Sequence, residues 1–98
     1  MIIQDVLDEL EIKNRPVAKA LYKKEDFKVL VLAFKQDMLL KEHKAHVPTK
    51  LVVIKGKVIY KSETTEQLLS CYDEFEIPVN EQHAVLAKED SLCMLIQG

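Results

Sequence analysis

An all-β domain prefaced by one short helix is what this sequence predicts, and three observations carry that expectation. Nine short apolar runs rich in Val, Ile, Leu and aromatics follow one another from Val17 to Ile96, with polar punctuation between them. A stripe at helical spacing marks the first dozen residues alone. The chain has 98 residues, 48 % hydrophobic and 31 % charged, the size and apolar content of a single domain with its own core.

At the start, Ile3, Val6, Leu7 and Leu10 fall at i, i+3, i+4 and i+7, the face of an amphipathic helix, with Asp5, Asp8 and Glu9 on its other sides. Asn14-Arg15-Pro16 ends it, because the residue before proline avoids the helical region. So short a helix must dock, so residues 1–15 form an arm that covers the end of the domain or crosses to a second subunit. The strands then run Val17–Tyr22, Phe27–Phe34, Met38–His43, Leu51–Ile54, Val58–Tyr60, Leu68–Cys71, Phe75–Pro78, His83–Ala87 and Leu92–Ile96. Lys55-Gly56-Lys57 reads as a tight hairpin, and Lys61 to Glu66 as an exposed hairpin tip. Only Gly56 and Gly98 supply glycine to all these turns, so Asp37, Asp73, Asn80 and Asp90 are the candidates for left-handed backbone. Val29, Val31, Leu51, Val53, Val85 and Leu95 are the expected inward positions.

Lys plus Arg is 14 and Asp plus Glu is 16, a net charge of -2 that gives no reason to expect nucleic acid or an anionic membrane as partner. Lys13, Arg15, Lys19, Lys23, Lys24 and Lys28 alternate with acids and apolar residues, as on a solvated strand face. The longest apolar run, Val29 to Phe34, is far short of the ~20 residues that cross a bilayer. No secretory signal is visible, and Cys71 and Cys93 sit apart in apolar stretches. They read as buried, reduced thiols of a cytoplasmic protein. Tyr22, Phe27, Phe34, Tyr60 and Phe75 read as packing residues, and Asp73, Glu74 and Glu76 as turn chemistry. No phosphate-binding glycine loop, dinucleotide fingerprint or serine-histidine-aspartate arrangement is present.

Two stretches, Asp37 to Gly56 and Tyr72 to Ala87, resemble the paired motifs of the cupin superfamily. In the second, Pro78 and His83 stand in the proline and histidine slots, while Tyr72 and Asn80 occupy the two glycine slots and Ala87 the asparagine slot. In the first, Asp37 takes the opening glycine slot, His43 the first histidine and Gly56 the closing glycine, but Ala45 stands at the second histidine and Thr49 at the glutamate. The resemblance implies a double-stranded β-helix barrel of the jelly-roll kind over residues 17–97, one cupin domain over 1–98, and a homodimer.

Cupins hold a divalent iron, manganese, nickel, copper or zinc ion on three histidines and a glutamate, the ligand types such metals favour. Carried over slot by slot, His43 and His83 remain as candidate metal ligands. His46, three residues on, would need a bulge or turn near Val47-Pro48 to join them, and Glu42 and Gln82 would face away. The chemistry stays open between a barrel that binds or senses a small molecule without catalysis, a metal-dependent oxygenase or isomerase, and a filled barrel serving only as an interaction module.

Overall fold

The structure is a computed structural model describing residues 1–98, the side chain of Glu42 excepted. Among the described residues the chain forms helix α1 (Ile2–Leu10), then β1 (Val17–Lys24), β2 (Phe27–Phe34), β3 (Leu39–His43), β4 (Thr49–Lys55), β5 (Lys57–Ser62), β6 (Glu66–Ser70), β7 (Glu74–Ile77), β8 (His83–Ala87) and β9 (Ser91–Gln97). Every apolar run of the sequence became a strand. They build two antiparallel sheets, five strands in the order β1-β2-β9-β4-β7 and four in the order β3-β8-β5-β6. After the β1–β2 hairpin each next strand crosses to the other sheet, except at the β5–β6 hairpin, and the layers face each other as a jelly roll.

Strand alternation sorts the side chains into an inner and an outer set. Leu32, Phe34, Leu51, Val53, Val58, Tyr60, Val85, Ala87 and Cys93 fill the space between the sheets. Cross-strand partners share a face: Leu32 stands opposite Cys93, and Leu51 opposite Leu95. Each such large side chain contributes about 1.5–3 kcal/mol through burial. Val29 and Val31 are a correction. The register aligns Leu30 with Leu95 and Val31 with Met94, so β2 turns Leu30, Leu32 and Phe34 inward and Val29, Val31 and Ala33 outward. An unbroken apolar run conceals which set faces the core, and here both sets are covered.

The cover on the outer side is α1. Val6 and Leu10 bury against Val17, Val31 and Ala33, with Ile2 and Ile3 beside them, so the arm lies over the outer face of β1 and β2 within its own chain. Leu7 flanks that face and stays 38 % exposed, so the docking stripe is Ile2, Ile3, Val6 and Leu10.

Lys55-Gly56-Lys57 is not a hairpin. β4 pairs with β9 and β7, β5 pairs with β8 and β6, and the chain crosses from one sheet to the other at Gly56, φ +87°. A Cβ there would collide with the Asp90 carbonyl oxygen and Ser91 Oγ. The tip between β5 and β6 does form as expected, closed by Ser62 N–H donating to Thr65 O at 2.8 Å.

Asp37 (φ 72°) and Asn80 (φ 63°) take left-handed backbone; Asp73 and Asp90 do not, and Tyr72 (φ 74°) does. The Asp73 carboxylate accepts Ser70 N–H at 2.8 Å while Asp73 N–H donates to Ser70 O at 2.9 Å, closing a turn in which Tyr72 holds the strained position. Asp90 instead accepts Gln36 N–H through Oδ1 at 2.8 Å. The same turn carries Cys71 out of the sheet, so it is exposed, whereas Cys93 is buried as expected; both are free thiols. Tyr22 and Phe27 are 49 % and 41 % exposed and meet edge to face at 6.3 Å between ring centroids, another departure from the expected packing role.

Candidate functional site

β3 and β8 pair as Leu39 with Leu86 and Leu40 with Val85, then the register slips and His43 stands opposite His83. A regular ladder from Leu40 and Val85 would reach His83 one residue before His43, so a bulge inside β3 brings His43 opposite it. The expected orientation of Glu42 lies outside the described residues. The imidazole centroids of His43 and His83 are 4.2 Å apart, with the planes at 57°. His83 is buried and His43 exposed, so the pair runs from the interior to the surface.

Each ring is fixed in the same way. His43 Nδ1 lies 3.0 Å from Lys41 O and His83 Nδ1 lies 3.0 Å from Glu81 O. A carbonyl only accepts, so both Nδ1 atoms carry hydrogen, and a neutral ring held in this way presents Nε2 as an acceptor. His83 also stacks on Tyr60, centroids 5.1 Å apart and planes at 24°, and the Tyr60 hydroxyl donates to Glu81 Oε1 at 2.5 Å. Glu81 therefore anchors the ring by its carbonyl and the stacking tyrosine by its carboxylate. Burial pushes the His83 pKa below its ordinary value, and the neighbouring His43 adds to the effect against the opposing pull of Glu81. Burial, reinforced by the Glu81 hydrogen bond, raises the Tyr60 pKa.

The two degenerate slots are occupied by structure. Ala45 is 7 % exposed and packs in the inter-sheet core. Thr49 is buried, its hydroxyl donating to Val47 O at 3.0 Å and accepting from Gln97 Nε2 at 3.3 Å. His46 turns elsewhere: Nδ1 lies 3.0 Å from Asn80 Oδ1, and the ring lines a groove that neither His43 nor His83 touches. Among the described residues no three His, Cys, Asp or Glu side chains converge as metal ligands. A four-ligand cupin metal centre does not fit this donor set, which offers two imidazoles.

Sequence spacing identified the facing histidines but missed Tyr60 and Glu81, whose hydrogen bond spans two strands' worth of chain. The acid cluster resolves as structure: Asp73 closes its turn, and Glu74 and Glu76 pair with Lys50 at 3.0 and 3.5 Å. Cys71 Sγ donates to Ile54 O at 3.1 Å. Burial pushes the Cys93 thiol up to about 12, which leaves it inert.

This architecture matches solved structures. A cupin superfamily protein from Desulfitobacterium hafniense superposes with a TM-score of 0.80 at 16 % identity, covering 87 % of this chain and 78 % of its own. An RmlC-like cupin from Desulfovibrio desulfuricans gives 0.75 at 21 % identity over 85 % and 82 %. A cupin-2 domain containing protein from Shewanella frigidimarina gives 0.73 at 16 % identity over 97 % of each chain. No protein-family profile and no curated protein sequence matches the chain. The chain therefore has the cupin fold, a small jelly-roll barrel with one N-terminal helix. No helix among the described residues is long and apolar enough to cross a membrane.

Proposed function

We propose that this small cupin domain binds or senses a small hydrogen-bond-donating molecule at the His43–His83 pair, without a resident metal and without catalysis. The two Nε2 acceptors, held side by side by carbonyl-locked rings, carry the reading. At neutral pH His83 is uncharged, so its Nε2 takes a hydrogen bond from a ligand O–H or N–H, as polyols and amides supply. Titrating such compounds while recording imidazole nitrogen NMR tests this. A bound ligand moves the His43 and His83 Nε2 signals together and saturably, and His43→Ala weakens it. Signals unmoved by every hydroxyl- and amide-bearing compound overturn the reading.

The competing reading, a metal-dependent oxygenase or isomerase, draws on the 4.2 Å separation, which suits two imidazoles sharing an ion. It needs a further ligand beyond this pair. A cytoplasmic location is part of the same proposal and is supported by two free thiols.

We further propose a homodimer through the outer face of the five-stranded sheet. Val52, Met94 and Ile96 form a half-buried apolar centre there, flanked by Lys50, Glu74 and Glu76. Apolar area ringed by both signs of charge complements its own copy across a two-fold axis. Sedimentation equilibrium reading a dimer that Met94→Glu dissociates supports it; a monomer at every concentration overturns it.

A further inference from the structure

The β1–β2 turn and the segment 44–48 enclose a groove of about 630 Å³ that the histidine pair does not line. Its apolar lining includes Phe27, Ala45, Val47 and Pro48, and its lysines are Lys23, Lys24, Lys28 and Lys44. Two carboxylates, Glu25 and Asp26, sit at the turn itself, so the groove is positive on a chain whose net charge is -2.

The strand register sharpens the point. Lys23 stands directly opposite Lys28 across β1 and β2, and like charges in that position destabilise a sheet. Among the described residues none of the four groove lysines is in an ion pair with a carboxylate. An anion placed between them removes the repulsion, and the apolar lining selects what the anion is attached to.

We infer that this groove binds a small organic carboxylate with a flat apolar body, the carboxylate lying among Lys23, Lys28 and Lys44 and the body against Phe27 and Val47. The site is separate from the His43–His83 pair and stands whether or not that pair binds anything.

The test is a backbone amide NMR titration with naphthalene-2-carboxylate, with naphthalene-2-carboxamide and inorganic phosphate as the neutral and the body-free comparisons. The expected result is saturable shifts confined to residues 23–28, 44–48 and 97–98. The carboxylate should bind about tenfold tighter than either comparison, the size of one charge-assisted contact. Lys23→Gln with Lys44→Gln, both exposed positions, weakens binding by the same order, while Lys88→Gln and His43→Ala leave it unchanged. Absence of saturable shifts, equal binding of the carboxamide or of phosphate, or insensitivity to the double lysine change overturns the inference. Loss of binding in His43→Ala also overturns it, by moving the ligand to the histidine pair.

Discussion

His43 and His83 face each other across a bulged strand pair with ring centroids 4.2 Å apart, and each donates from Nδ1 to the carbonyl two residues before it. Two unconnected segments thus build the same local device twice. One ring is exposed and the other buried.

His83 is the group whose folded pKa lies below its ordinary 6.5, chiefly through burial. The unfolded chain then binds more protons than the folded one near and below that value, so stability rises with pH there. The contribution is complete above about pH 7 and is lost as pH falls through 6.5 toward the lowered folded value. Thermal melts from pH 7.5 to pH 5 should show Tm falling. His83→Gln should flatten that slope, whatever it does to Tm itself; an unchanged slope contradicts the assignment.

Tyr60 is fully buried, and its hydroxyl reaches Glu81 at 2.5 Å. Tyr60→Phe keeps the packing and removes a hydrogen bond to a charged group. Urea unfolding should register a loss of about 1.5–3 kcal/mol, with the His83 ring signals displaced because the ring stacked on it has lost its hydroxyl and its bond to Glu81.

Gly56 combines φ +87° with no space for a Cβ beside Asp90 O and Ser91 Oγ. Ser91 Oγ there accepts Lys57 N–H at 3.1 Å and lies 2.7 Å from Glu89 O, so the neighbour is fixed in place. Gly56→Ala should destabilise by at least about 1–3 kcal/mol, the range for a strained backbone position. A neutral effect in chemical unfolding would mean the crossing adapts freely.

Leu10 anchors the helix over β1 and β2 at 5 % exposure. Leu10→Ala should cost about 2–5 kcal/mol and raise amide exchange in residues 2–10 well before the barrel strands. Uniform exchange across the whole chain would show that helix and barrel unfold as one unit.

The strands were legible because each apolar run is bounded by polar residues, as Phe27–Phe34 and His83–Ala87 demonstrate by matching β2 and β8 end to end. Sheet membership was not. Gly56 satisfies the local demands of a hairpin and of a crossing equally, and the choice depends on β9 pairing with β4, a contact some forty residues away. The facing of Val29 and Val31 was hidden for a related reason: α1 makes both sides of β2 apolar. At the site, motif spacing placed His43 and His83 together, but the bulge that aligns them leaves no mark a single sequence displays. The environment of His46 is set by Asn80, reached only through the fold.

The proposal that the paired histidines serve ligand recognition without a metal rests on Ala45 and Thr49, which stand at slots where cupins carry metal ligands and here pack or bond within the barrel. Elemental analysis of untagged protein after mild dialysis, beside a His43→Ala, His83→Ala double variant, tests it most directly. Iron, manganese, nickel, copper and zinc are expected far below one ion per chain, and the same in both proteins. Near-stoichiometric metal that disappears in the double variant would contradict it and establish a metal centre on two imidazoles.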